Sequence, residues 1–119
     1  MDSIADAVME RWFAPAFRAT PELALWRTML ARTPAERFTA ACAALAQADQ
    51  TEATCALRLP LLAIAGSADG ATPPDMVKAT ADLIPGATFH EIPGAGHLPC
   101  VEASARWAAL VSPFLTANT

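Results

Sequence analysis

The stretch "LPLLAIAGSADGATPP", residues 59–74, decides the fold, because a short apolar run in it gives way to a polar turn. An unbroken apolar run that ends in glycine is typical of a fully buried strand in a parallel sheet. The run, 59–66, is far too short to span a bilayer. The polar residues after it predict a loop. Thr72 and the two prolines that follow predict a helix that continues to about Leu83.

A second strand is predicted at residues 87–92, "ATFHEI", where polar and apolar residues alternate. The loop "PGAGHLP" and a last helix follow, and we expect this helix to be interrupted or restarted at Pro113. Strand, helix, strand and helix in succession predict a parallel βαβ crossover with one flanking helix. Residues 57–119 therefore predict an α/β fold with parallel strands.

Residues 1–56 instead predict a helical segment, because their apolar residues recur at helical spacing. Thr20, followed by Pro21, predicts the N-cap of one helix. Thr33 and Glu36 have the spacing of a capping box and predict the start of the next. Aromatic residues in such a segment usually pack between helices, and we expect this of most of those present. They are Trp12, Phe13, Phe17, Trp26 and Phe38.

Composition argues against several classes of function. The chain has 119 residues and a net charge of −4, whereas binding to nucleic acid requires a basic face. Its three cysteines are odd in number and lack C-x-x-C spacing, which argues against a disulfide framework and a zinc site. Acidic residues stand near the N-terminus, where an export signal requires basic ones. We therefore expect a cytoplasmic protein with no membrane, nucleic-acid or metal partner.

Two residues with catalytic potential follow the two predicted strands. Asp69 lies just after the first strand and His97 just after the second. Because ligands bind beyond the carboxyl ends of parallel strands, we expect the two loops to meet there. A carboxylate beside an imidazole holds one tautomer and leaves the other ring nitrogen to deprotonate a nucleophile. Either residue alone is more often a simple turn or surface residue, so the hypothesis depends on the pair.

These segments resemble those of the α/β-hydrolase superfamily. The pattern G-x-x-D-x-x-x-P from Gly66 to Pro73 matches the acid-bearing segment of that family, and G-x-G-H-x-x-x-x-E from Gly94 to Glu102 matches the histidine-bearing one. The resemblance implies that Asp69 is the triad acid and His97 the triad base. It implies the C-terminal part of the fold, with a helical cap segment at 1–56 and a β-α-β-α part at 57–119.

The segments "IADAVMERWFAPAFRAT" and "TPAERFTAACAALAQADQT" resemble, more narrowly, the helical cap of 3-oxoadipate enol-lactonases. Those enzymes open an enol-lactone ring in the β-ketoadipate pathway of aromatic compound degradation. The resemblance implies a small ester or lactone substrate and a mechanism without metal or organic cofactor. Trp12 in the cap would line the substrate pocket, although helix packing explains it equally well.

The nucleophile of the family is missing from this sequence. The family places its serine in a G-x-S-x-G elbow, and none of the four serines here has glycines two before and two after. Ser67 is expected to form the turn, Ser104 to bond its own helix backbone, and Cys100 to pack as a small apolar residue. Three interpretations stay open: a hydrolase with another nucleophile, an inactive associating fragment, or one half of a split hydrolase.

The first strand also predicts an association. A parallel strand normally has neighbours on both edges, and without them "LPLLAIAG" would present an unpaired apolar edge. We therefore expect self-association, domain exchange or a partner chain that completes the sheet.

Overall fold

A computed structural model describes residues 1–118, and it divides them into a helical first part and a mixed second part. The first part contains α1 (Asp2–Trp12), α2 (Pro15–Arg18), α3 (Leu23–Ala31), α4 (Ala35–Gln47) and α5 (Thr51–Cys55). The second contains β1 (Leu62–Gly66), α6 (Pro74–Asp82), β2 (Thr88–Ile92), α7 (Pro99–Glu102) and α8 (Ser104–Ala117). The predicted α/β class with parallel strands is confirmed. The functional boundary at residue 56 stays a prediction.

The sheet consists of β1 and β2, which run parallel with α6 as their crossover. Leu62 pairs with Thr88 at one end and Gly66 pairs with Ile92 at the other. Within residues 1–118 no strand pairs with the second edge of β1. Only the last two residues of β1 are buried, so the expectation of a fully buried strand is wrong. The open edge explains this exposure, because a parallel strand is covered only when neighbours flank it.

The helical part has a core where α1 and α3 pack together. Its buried members are Ala5, Met9, Phe13 and Leu30. The ring of Phe13 stacks on Phe17 at a centroid distance of 4.8 Å. The other aromatic side chains named above pack against the same core, so the predicted packing role is confirmed.

An ion-pair cluster on the surface joins the same two helices. The guanidinium of Arg27 in α3 contacts Asp2 at 2.8 Å and Asp6 at 2.6 Å, both in α1. Hydrogen bonding and the positive charge of Arg27 lower the pKa of Asp6. These contacts add to the apolar packing that holds α3 against α1.

Both capping predictions in this part are wrong. Helix α3 begins at Leu23, and the hydroxyl of Thr20 donates to the carbonyl of Phe17 at 2.7 Å. Helix α4 begins at Ala35, and the hydroxyl of Thr33 donates to Met29 at 3.2 Å. In each case the threonine satisfies a carbonyl at the end of the preceding helix and does not cap the next one.

The C-terminal helices also differ from the expectation. The chain breaks between α7 and α8 at Ala103, while α8 continues through Pro113. The predicted interruption at Pro113 is therefore wrong, because a proline removes one backbone hydrogen bond and the rest of a 14-residue helix keeps its own. Within residues 1–118, no helix has the length and apolar character needed to cross a membrane.

Candidate active site

Asp69 lies in a tight turn directly after β1. The side chain is only 4% exposed, and its oxygens accept hydrogen bonds from the loop that leads to α6. Oδ1 accepts the amides of Ala71 at 2.7 Å and Thr72 at 2.9 Å. Oδ2 accepts the hydroxyl of Thr72 at 2.9 Å. The hydrogen bonds from Ala71 and Thr72 alone therefore hold the carboxylate in one orientation.

The loop after β2 is joined to the loop after β1 at two points. The amide of Ala68 donates to the carbonyl of Ala95 at 2.8 Å. The amide of Gly94, which has a φ of +76°, donates to the hydroxyl of Ser67 at 2.8 Å. These bonds hold the His97 loop over the end of β1. The hydroxyl of Ser67 thus contributes one of the two bonds between these turns.

His97 reaches Asp69 across this junction. Nδ1 of the imidazole lies 2.9 Å from Oδ2 of Asp69 and 3.2 Å from the hydroxyl of Thr72. A carboxylate accepts a hydrogen bond at this distance, so the geometry favours the tautomer with hydrogen on Nδ1. Nε2 makes no hydrogen bond to any residue in 1–118, and the side chain is 32% exposed. The contact expected between the two loops is present, while the catalytic roles stay predictions.

The electrostatic state of Asp69 follows from its surroundings. Burial raises the pKa of this carboxyl, but the hydrogen bonds from His97, from the amides of Thr72 and Ala71, and from the Thr72 hydroxyl lower it by more. The pKa therefore lies below its ordinary value, and Asp69 is a carboxylate at neutral pH. An ionised carboxylate at this position stabilises the imidazolium that forms when Nε2 takes a proton.

The end of α1 packs against both loops. The carbonyl of Arg11 accepts the amide of Gly70 at 3.1 Å, and Nε of Arg11 donates to the Gly70 carbonyl at 3.3 Å. The carbonyl of Trp12 accepts the amide of His97 at 2.7 Å, and the two rings lie 6.3 Å apart. Trp12 is thus half-buried beside the candidate base. Its proposed contact with substrate stays a prediction.

Sequence reasoning assigned no role to two residues that help to build this site. The sequence predicts Thr72 only as part of a helix opening, although its spacing of three residues from Asp69 is one at which a side chain can bond the following turn. For Glu102 the sequence shows only that it occupies the last position of the G-x-G-H-x-x-x-x-E pattern. Its carboxylate accepts the amides of Gly96 at 2.8 Å and Ala14 at 2.9 Å. The partner of Ala14 is 88 residues away, so local sequence could not reveal this contact.

The other residues weighed as nucleophiles stay unassigned. Cys100 is exposed in α7, and Ser104 is exposed at the first position of α8. A cavity of about 600 Å³ lies between α2, α3 and the His97 loop, but neither Asp69 nor His97 lines it. Among residues 1–118 the candidate site therefore contains a candidate acid and a candidate base, and no nucleophile is assigned to them.

Comparison with known proteins extends this result. No protein-family model matches the chain. Over 76 residues the chain is 40% identical to 3-oxoadipate enol-lactonase 1 of Acinetobacter baylyi. The matched region covers 60% of the chain and 29% of that protein. The enol-lactonase structure from Burkholderia xenovorans LB400 matches 98% of the chain with 31% identity and a TM-score of 0.92. A thermophilic esterase from Thermogutta terrifontis matches 98% with 33% identity and a TM-score of 0.88.

The matches define the class of protein. The chain has the α/β-hydrolase fold and corresponds to its C-terminal part. More narrowly, it is similar to the C-terminal part of the 3-oxoadipate enol-lactonases, as its sequence predicted. It spans 45% of the enol-lactonase structure and 44% of the esterase structure. The chain thus corresponds to less than half of either enzyme.

Proposed function

We propose that this chain supplies the acid and the base of a Ser-His-Asp triad that hydrolyses a carboxylic ester or lactone. The observation that carries the proposal is the 2.9 Å contact between Nδ1 of His97 and Oδ2 of Asp69. It occurs where two neighbouring parallel strands end, which is where ligands bind in open α/β sheets. The second ring nitrogen, Nε2, is left to exchange a proton with a nucleophile and a leaving group.

The chemistry follows from this arrangement. As a serine hydroxyl attacks the acyl carbon, Nε2 of His97 takes its proton, and Asp69 stabilises the resulting imidazolium. The same proton then passes to the leaving oxygen, which in an enol-lactone is the ring oxygen. In the second half-reaction His97 removes a proton from water, whose oxygen attacks the acyl carbon. The bond from this carbon to the serine oxygen then breaks, and the proton on Nε2 passes to the serine as the acid is released. Each step uses one ring nitrogen for proton transfer and the other for alignment.

The substrate we propose is an enol-lactone such as that of 3-oxoadipate. Support comes from the relative in Acinetobacter baylyi and the structural neighbour in Burkholderia xenovorans, both of which are named as enol-lactonases. This substrate would give the chain a part in the degradation of aromatic compounds. Trp12 beside His97 would then form one wall of the acyl pocket.

The nucleophile in this proposal is a serine outside the 119 residues, in a segment that pairs with the open edge of β1. Leu61 and Ser67 bond to β2. Because the backbone groups of a parallel strand alternate in direction, those of Leu62 and Ile64 face the open edge. Exposed Met76 of α6 and Leu115 of α8 extend the apolar surface around the grooves on either face of β1. This surface favours a completed sheet, either with a hydrolase segment or with a second copy of the chain.

Hydrolysis tests the function directly. The full chain is assayed with a small activated ester and with an enol-lactone, alone and mixed with the part of the Burkholderia xenovorans enol-lactonase that the chain does not match. We expect hydrolysis in the mixture that His97→Ala abolishes and that Asp69→Asn lowers by about 10⁴-fold. His90→Ala is the matched control, since His90 is exposed in β2, and it should keep the parent rate.

Two results would contradict the proposal. In one, a mixed complex forms on a sizing column but hydrolyses neither substrate. In the other, hydrolysis continues unchanged in His97→Ala. Loss of activity only with the enol-lactone, while the ester is cleaved, would reject the substrate and keep the triad.

Association at the β1 edge has its own test. Leu62→Pro removes an edge-facing amide at the first residue of the strand, where proline is tolerated. Leu62→Val keeps that amide and serves as the control. We expect light scattering to show that the parent and Leu62→Val associate and that Leu62→Pro does so more weakly. A parent chain that is monomeric both alone and in the mixture would contradict the proposed edge pairing.

A further inference from the structure

Among residues 1–118, Glu102 is the one side chain that bonds both to the His97 loop and to the link between α1 and α2. Both of its carboxylate oxygens are used: Oε1 accepts the amide of Gly96 at 2.8 Å and Oε2 accepts the amide of Ala14 at 2.9 Å. Gly96 directly precedes His97, and Ala14 is buried two residues after Trp12. The carboxylate therefore joins two backbone segments that are distant in sequence.

The backbone is closely packed around Gly96. A side chain at Gly96 would collide with the carbonyl oxygen of Trp12, and its Cβ would lie 2.8 Å from Oε1 of Glu102 and 3.0 Å from the amide of Ala14. The amide of His97 donates to Trp12 within the same junction. Buried backbone amides need a hydrogen-bond partner, and the carboxylate of Glu102 is the partner of both Gly96 and Ala14.

These contacts determine where the backbone of His97 lies. Its Nδ1 reaches Asp69 at 2.9 Å, and this distance depends on the position of the loop that carries the ring. Hydrogen bonds weaken steeply as distance and angle depart from their preferred values. A shift of the Gly96 amide by a fraction of an ångström would thus weaken the bond that fixes the tautomer of the base.

We propose that Glu102 is a positioning residue for His97, acting through the amide of Gly96 and braced by the amide of Ala14. This role rests on the proposed function, in which His97 is the base. Glu102 itself takes no proton and contacts no reacting atom. Its carboxylate provides two acceptors, whereas the amide of glutamine provides one acceptor and turns a donor towards one of the two backbone amides.

The test measures the ratio of the two neutral tautomers of His97 in the full chain. Nitrogen-15 NMR gives this ratio at a pH where the imidazole is neutral. We expect the parent to hold its proton on Nδ1. In Glu102→Gln the ratio of the Nδ1–H to the Nε2–H tautomer should fall by roughly 3- to 10-fold, the equivalent of one weakened hydrogen bond. Glu102→Asp keeps the charge but retracts the carboxylate by one methylene, and it should give a ratio between the two.

The controls separate positioning from charge and from stability. Glu91→Gln removes the same charge from an exposed position in β2 and should leave the ratio unchanged. The ring of His90, also exposed in β2, is an internal reference in every spectrum. If Glu102→Gln and Glu102→Asp lower the unfolding temperature but keep the parent ratio, the role is structural and the proposal is overturned.

The experiment also gives an answer if a variant does not fold or if the chain hydrolyses no substrate. If Glu102→Gln does not fold, the ratio in Glu102→Asp decides alone, a lower ratio supporting the proposal and an unchanged one overturning it. If no substrate is hydrolysed, the proposed function fails but the tautomer ratio is still measured, because the experiment uses no substrate. Failure of one proposal is thus distinguishable from failure of the other.

Discussion

The amide of His97 donates to the carbonyl of Trp12 at 2.7 Å, and this bond joins the candidate base to the last residue of α1. The base is therefore positioned by the helical segment as well as by the strand that precedes it. Asp69 is held in the same way, because its neighbour Gly70 donates to Arg11. Asp69, His97 and the end of α1 form one structural unit.

Truncation of Phe13 should destabilise this unit more than any change on the surface. Phe13 is 1% exposed and stacks on Phe17. We expect Phe13→Ala to lower the free energy of unfolding by about 3–5 kcal/mol, because it leaves a cavity in the core. Leu45→Ala is the control at a residue that is 77% exposed, and it should change stability by less than about 0.5 kcal/mol. Urea unfolding followed by circular dichroism measures both, and equal losses would contradict the proposed core.

Asp69 should make stability depend on acid. Its folded-state pKa is lowered chiefly by the hydrogen bond from His97, against the effect of burial. The unfolded chain therefore binds more protons as the pH falls through about 4, and the stabilising contribution, complete above that pH, is lost as the pH falls through the folded pKa. Asp69→Asn cannot ionise, so it should be less stable than the parent at pH 7 and approach it towards pH 3.

Urea midpoints at several pH values between 7 and 3 measure this difference. Asp75→Asn carries the same chemical change on the exposed face of α6 and serves as the control. A gap between parent and Asp69→Asn that stays constant with pH would show that the loss arises from packing and not from ionisation.

The hydroxyl of Thr72 should contribute through the same carboxylate. It donates to Oδ2 of Asp69 at 2.9 Å beside the ring of His97. Thr72→Val preserves the shape but leaves the buried oxygen without this donor, and we expect a loss of about 1–2 kcal/mol. Thr72→Ser keeps the hydroxyl and should stay within about 0.5 kcal/mol of the parent. Thermal unfolding distinguishes them, and a Thr72→Val variant as stable as the parent would contradict the role of the hydroxyl.

Gly96 should not tolerate a side chain. An added Cβ would meet the backbone of Trp12 and the carboxylate of Glu102, so Gly96→Ala should cost about 3 kcal/mol. Gly86→Ala is a useful comparison, because Gly86 has open space around it but a φ of +81°. That variant should cost only ~1–2 kcal/mol, from backbone strain alone. If Gly86→Ala were the more damaging change, close packing at Gly96 would not be the dominant effect.

The site was predictable from sequence where it depends on local order along the chain. An apolar run, a crossover helix and a second strand place Asp69 and His97 at adjacent strand ends. The exposure of β1 follows less from its own residues than from the absence of a strand on its second edge within residues 1–118. The apolar composition of β1 predicts a buried strand, because composition reflects the preference of residues for burial. It contains no information on which strands lie beside them.

What sequence could not supply is the choice among competing hydrogen bonds. Thr20 and Thr33 have the residue type and spacing of helix caps, yet each bonds backwards to a carbonyl of the preceding helix. Pro113 has the character of a helix breaker, yet the break falls ten residues earlier at Ala103. Glu102 carries a motif position whose purpose appears only when Ala14 is folded beside it.

The hydrogen bonds at the end of α1 couple the helices unequally to the loops that carry Asp69 and His97. Because Arg11 and Trp12 bond to these two loops, and Arg27 pairs with α1, helices α1 and α3 are both fixed to them. Helix α4 has no buried residue and packs inward mainly through Phe38. A change in the orientation of α4 or α5 therefore reaches Asp69 and His97 less directly than a change in α1 or α3.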